Sequence, residues 1–129
     1  MTEPVWPGNA RELEAVQYEL AAAEPDPYVP DPEPLVCGVF VCFERSKVGE
    51  DSGNERGWAA AAAYRGTFIL TRSCVMGRAA GPYVPGRLAL REGPLLARAV
   101  IQLGYRPDVL LVNATGRDHP RGAGLALHL

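Results

Sequence analysis

The run LVCGVFVCF at 35 to 43 constrains this chain more than any other stretch. Its apolar residues fall at both parities, so a strand made from it is apolar on both faces and belongs inside a sheet rather than at its rim. A second run, VLLVNA at 109 to 114, reads as another buried strand. Between them LALREGPLLARAVIQLG at 88 to 104 sets Leu95, Leu96, Ala99, Val100 and Leu103 at helical spacing, with Pro94 suited to a first turn and Gly104 as the stop. Strand, helix and strand in that order predict an α/β sheet with the helix packed on one face. WAAAAAY at 58 to 64 and TFILTRSCVM at 67 to 76 are separated by Arg65 and Gly66, the spacing of a hairpin. The alanine run taken alone favours helix, so its assignment as a strand needs support from elsewhere.

Residues 9 to 23 form a predicted helix, with Asn9 as its N-cap and Leu13, Val16, Tyr18 and Leu20 among strong helix formers. Prolines at 25, 27, 30, 32 and 34 then enforce an extended path. This divides the 129 residues into a helix and acidic linker at 1–34 and one α/β domain at 35–129, and 47% apolar content suits a single core. Charge follows the same division: one base against eight acids (−7) over 1–34, and twelve bases against seven acids (+5) over 35–129. The mildly basic body permits nucleic acid as a partner. No stretch has the roughly 18 apolar residues of a membrane span, and the N-terminus lacks signal-peptide character, so a soluble, cytoplasmic protein is expected. Cys37, Cys42 and Cys74 show no metal-ligand spacing and read as reduced thiols, the first two on opposite faces of their strand.

Three blocks, LVCGVFVCFER at 35–45, PYVPGRLALRE at 82–92 and VNATGRDHPRGAGLALHL at 112–129, together resemble the conserved blocks of the endonuclease V family. That resemblance implies a ribonuclease H-like mixed sheet with flanking helices, here truncated after the fourth core strand. It also implies a nuclease nicking nucleic acid beside deaminated bases, with carboxylates presenting Mg²⁺ to a scissile phosphate. Laid on this sequence, the family's strand aspartate falls at Phe40, its helix glutamate at Glu92 and its second aspartate at Asn113. A phenyl ring offers no lone pair and an amide brings no charge, so the resemblance leaves Glu92 as the one anionic ligand and Mg²⁺ is not expected to be held. The family's domain also continues past the point matching Leu129, into elements supplying a lysine and a late acidic or histidine residue.

By the same resemblance, Pro82, Tyr83, Val84, Pro85 and Gly86 form a loop that stacks against nucleic acid near the lesion, Tyr83 being held between two rigid prolines. The closing block, with Gly116, His119, Pro120, Arg121, Gly124 and His128, helps frame a base pocket, with Arg121 available to phosphate. Asp118 and His119 are the candidates for a relocated metal pair, although adjacent residues rarely converge on one ion. Three readings stay open: an impaired endonuclease V-like protein retaining DNA or RNA binding, an active metal-dependent nuclease with a rebuilt site, and a scaffold whose sheet is completed by a second copy or another chain.

Overall fold

A computed structural model describes residues 4–45 and 53–129. Most of the polar turn expected at 44–56 lies outside the described residues. The elements in chain order are α1 (Ala10–Ala22), β1 (Leu35–Phe43), β2 (Arg56–Arg65), β3 (Phe68–Arg78), α2 (Leu88–Gln102), β4 (Val109–Val112) and α3 (Leu125–His128). The sheet order is β3-β2-β1-β4, antiparallel except for β4, which runs parallel to β1. β1 is therefore interior, as its two-faced apolar pattern requires. No helix among the described residues is long and apolar enough to cross a membrane.

Alternation decides which half of each strand meets α2. Leu35, Cys37 and Val39 of β1 join Ala59, Ala61 and Ala63 of β2 beneath Leu95, Leu96, Ala99 and Val100. Alanines at alternate positions let the helix come close, and this is why an alanine run serves here as a strand. The approach is tightest at Gly77, where a Cβ would come within 2.8 Å of Leu95 Cδ1. Ser73 Oγ donates to the Ala99 carbonyl at 2.5 Å and fastens β3 to the same helix. The opposite face of the sheet is open: Phe40, Trp58, Met76 and Leu111 are all exposed on it. Periodicity identifies β1 as apolar on both faces, yet α2 covers one only.

Cys37 is buried and Cys42 exposed, on opposite faces as expected, and all three cysteines are free thiols. Burial pushes the Cys37 thiol up, against a smaller lowering by a hydrogen bond to the Ala62 backbone.

α1 begins at Asn9 as read, with the Asn9 side chain accepting from the Glu12 amide at 3.0 Å. Its inward stripe is Leu13 and Gln17, while Tyr18 faces solvent. α2 corrects the placement of Pro94, which is the seventh residue of the helix rather than part of its first turn. The helix starts earlier because the turn closed by Arg87 N–H to Val84 O at 3.0 Å leads directly into it. Proline leaves the Leu90 carbonyl without its helical donor. Beside it, Gly93 makes room for Trp6, whose ring an added Cβ would press into. β4 is shorter than the run VLLVNA, because Ala114 N–H turns back to Val112 O at 3.0 Å and ends it. Its start is fixed to β1 by a reciprocal pair: Leu35 N–H donates to Asp108 Oδ2 at 2.8 Å, and Asp108 N–H to Leu35 O at 2.9 Å.

Candidate nucleic-acid interface

Phe40, Glu92 and Asn113, brought from β1, α2 and the end of β4, line one cavity of about 190 Å³ with Val39, Val41, Leu88, Leu96 and Val112. The parallel register Val39↔Val112 brings the two strand positions side by side, and the first turns of α2 deliver the glutamate over them. Three positions far apart in sequence thus share one site, but their chemistry does not match a hard divalent cation. Phe40 turns an aromatic ring to solvent at 60% exposure. Asn113 supplies a neutral amide oxygen. Burial pushes the Glu92 carboxyl up, partly offset by the neighbouring Arg91 charge, which weakens it further as an anionic ligand. One half-buried carboxylate and one amide do not make a Mg²⁺ site.

The relocated pair is not assembled either. Asp118 Oδ1 accepts the Gly116 amide at 2.8 Å, while His119 is buried and faces the other way. Among the described residues, no group of three or more His, Cys, Asp or Glu side chains is placed to hold an ion.

A second cavity, about 370 Å³, lies where the Pro82–Gly86 loop meets the closing segment; Tyr83, Val84, Pro85, Gly86, Thr115 and His119 are among its walls, with Gln17 of α1. Its volume falls in the roughly 300–1,000 Å³ range of small-ligand sites. Tyr83 is 56% exposed at its wall. The closing segment is folded on itself by Gly124 N–H to Gly116 O at 2.8 Å and Ala126 N–H to Thr115 O at 3.1 Å. That approach leaves no room at Gly124, whose added Cβ would press into Thr115.

Three hydrogen bonds from other elements meet on the loop at the Gly86 carbonyl oxygen, and Arg87, next in the chain, pairs with Glu14 of α1 at 3.3 Å. The carbonyl accepts from Gln17 Nε2 at 3.3 Å, His119 Nε2 at 3.0 Å and an Arg121 terminal nitrogen at 2.6 Å. His119 Nδ1 accepts the Arg121 amide at 3.0 Å, which puts the ring proton on Nε2. Arg121 Nε in turn donates to Gln17 Oε1. The guanidinium expected to meet phosphate is therefore turned inward, with two of its three nitrogens engaged inside the protein.

Sequence reasoning placed the loop, His119 and Arg121 but missed Gln17. The signal was present: Gln17 follows Leu13 by four residues, a polar side chain on the inward stripe of α1, where burial demands a partner. Trp6 was also unanticipated. It stacks on His128 with ring centroids 6.3 Å apart, and burial pushes the His128 imidazole down.

A four-stranded mixed sheet with its helix on one face, and a cavity where the interior strand, its parallel neighbour and that helix converge, define an α/β domain of the ribonuclease H-like kind. The Endonuclease V family model matches residues 17–129. The chain belongs to the Endonuclease V family. It is 36% identical to endonuclease V of Streptomyces coelicolor, covering 96% of this chain and 52% of that protein, and 34% identical to the Natronomonas pharaonis protein, covering 95% and 49%. The chain thus spans about half the length of these curated relatives. Among solved structures, Streptomyces avermitilis endonuclease V superposes with a TM-score of 0.73 at 31% identity, over 94% of this chain and 52% of that one. Ciona intestinalis endonuclease V, in complex with DNA containing an inosine, gives a TM-score of 0.71 at 19% identity, over 90% and 50%, a likeness of fold.

Proposed function

We propose that this chain binds nucleic acid at a deaminated base such as inosine, and that the family's metal-dependent cleavage is impaired in it at positions 40 and 113. The observation that carries the reading is Tyr83, a half-exposed phenol between Pro82 and Pro85 at the wall of a ligand-sized cavity. Such a ring is already in place to stack on a base, and stacking tolerates any base because every base has a π face. Membership of the Endonuclease V family and the inosine-containing DNA bound by the Ciona protein support the choice of lesion. The impaired half of the reading rests on the donor set: a phenyl ring and an amide beside one carboxyl whose ionisation burial opposes. Mg²⁺ would be the cofactor of an intact family site, and the cytoplasm is the compartment this reading assumes.

A gel shift and a nicking assay on inosine-containing DNA and RNA, with Mg²⁺ and Mn²⁺, test both halves. Binding without cleavage is expected. Tyr83→Ala is expected to weaken binding about 5- to 150-fold, the loss of roughly 1–3 kcal/mol of stacking. Cleavage that disappears in Glu92→Ala would overturn the impaired half, and unchanged affinity in Tyr83→Ala would overturn the binding site.

A second reading concerns the open sheet face, where Trp58 pairs in register with Met76 and with Cys42, and Phe40 with Ala60. Exposed Phe40, Trp58, Met76 and Leu111 form an apolar surface of the kind a protein partner covers, and a second copy of this chain offers the matching apolar surface. Sedimentation velocity is expected to give a dimer that Trp58→Lys converts to monomer. A monomer at all accessible concentrations removes this reading.

A further inference from the structure

We propose that Gln17 of α1 is a positioning residue for the tyrosine loop: with His119 and Arg121 it clamps the Gly86 carbonyl and so presets Tyr83 and the cavity wall for a nucleobase. The proposal rests on the reading of that cavity as the nucleic-acid site. Its basis is an oversubscribed acceptor. A carbonyl oxygen has two lone pairs, yet three donors from two separate parts of the chain converge on Gly86 O.

Within the loop itself, Arg87 N–H to Val84 O is a local turn and fixes nothing relative to the rest of the protein. The clamp supplies that reference. Gln17 is 1% exposed and uses both ends of its amide, the nitrogen on Gly86 O and the oxygen on Arg121 Nε. It thereby orients the guanidinium whose terminal nitrogen makes the shortest of the three contacts. His119 has its tautomer fixed by the Arg121 amide and delivers its Nε2–H to the same oxygen. Gly86 itself sits at φ +80°, where a side chain is strained, and an added Cβ would come within 3.4 Å of Arg121. Leu13 joins α1 to the buried apolar core, and Gln17 lies one turn on along the same inward stripe.

The test uses Gln17→Leu and Gln17→Glu in the full chain, with two readouts. The first is amide hydrogen exchange of residues 82–87 in the free protein. The second is affinity for oligonucleotides carrying inosine or guanosine at one position. Gln17→Leu is expected to speed exchange in the loop while exchange in β1 and α2 holds, to weaken inosine binding about tenfold, as one lost buried hydrogen bond does, and to narrow the inosine-over-guanosine preference. Gln17→Glu keeps the shape and the acceptor for Arg121 but sets a carboxylate oxygen against the Gly86 carbonyl, and is expected to leave loop exchange fast, whereas a merely space-filling role would restore it. Loop exchange in Gln17→Leu equal to that of the parent overturns the proposal. Should Gln17→Leu fail to fold, Gln17→Met, close to glutamine in length and volume, carries the same measurement. If the parent binds no oligonucleotide, the nucleic-acid reading fails, and the exchange result still decides whether the clamp exists.

Discussion

Replacing Arg91 by methionine is expected to lower the melting temperature by about 10–20 °C at pH 7, the largest stability change a single side chain here should produce. Arg91 and Glu55 form an ion pair at 3.0 Å with side chains only 5% and 4% exposed. The guanidinium also donates to Gly81 O at 3.2 Å and stands 4.4 Å from the centre of the Phe43 ring. Glu55 accepts from the Gly53 amide as well, and its carbonyl takes the Ala79 amide at 2.8 Å. One pair therefore ties the start of β2, the chain leaving β3 and the first turns of α2 together, directly behind Glu92. Removing one partner of a buried pair costs about 3–5 kcal/mol, and a domain of this size converts that to the stated shift.

The pH dependence identifies the cause. Burial alone would raise the Glu55 carboxyl. It is outweighed by hydrogen bonds from the Glu55 and Gly53 amides and by Arg91, which bring the group from its ordinary 4.5 to about 2. A depressed carboxyl stabilises the fold above its ordinary value and loses that contribution as pH falls toward its folded value. The parent should therefore hold its Glu55 contribution from pH 7 to about 4.5 and lose it between there and about 2. In Arg91→Met the cation is gone and the carboxyl rises toward its unfolded value, so Glu55's share of the acid loss shrinks and the melting gap between variant and parent should narrow as pH falls below about 4.5. Thermal melts from pH 7 to 2.5, with the double variant Glu55→Leu/Arg91→Met beside the single, decide it. The double should regain part of the stability, since it removes both charges of this buried pair at once. A single variant melting within about 2 °C of the parent would show the pair to be dispensable.

That pair also shows where the sequence stops being readable. Strand β1 follows from parity and the turn between β2 and β3 from a glycine, which act over a few residues, while the alanine run became a strand assignment only with the family resemblance. Glu55 and Arg91 are 36 residues apart with no local pattern linking them, and only the sheet's closure under α2 makes them meet. The same holds for Gln17 and Gly86, 69 residues apart. Parity could label both faces of β1 apolar, but which face α2 covers is decided by the handedness of the crossover. Arg121 stood out through its block, while its inward direction did not, because direction depends on the glutamine it meets. Phe40, Glu92 and Asn113 are the converse case. Matching the blocks put them in one site, and the cavity they share is where the fold brings them.

Restoring carboxylates with Phe40→Asp/Asn113→Asp is expected to create a Mn²⁺ site where the parent has none of measurable strength. Phe40 is exposed and Asn113 is exposed beyond the end of β4, so neither change empties the core. Together with Glu92 they would place three carboxyl groups around one cavity, the anionic oxygen set that a hard divalent ion needs. Without metal the three repel, so the Glu92 carboxyl, already raised by burial, should rise further and the apo double variant should melt below the parent. Ion binding reverses that. At a Mn²⁺ concentration of 100 times Kd the folded state gains about 2.7 kcal/mol, a rise in melting temperature on the order of 10 °C. Because protons compete for the same oxygens, the rise should be larger at pH 8 than at pH 6. Each single variant supplies one new carboxylate and should respond less than half as strongly. Calorimetric titration with Mn²⁺ beside the melts is the measurement. A folded double variant that shows neither heat nor a shift would mean that the shared cavity does not bring these positions close enough to share an ion, and the proposal that residues 40 and 113 impair cleavage would fall with it.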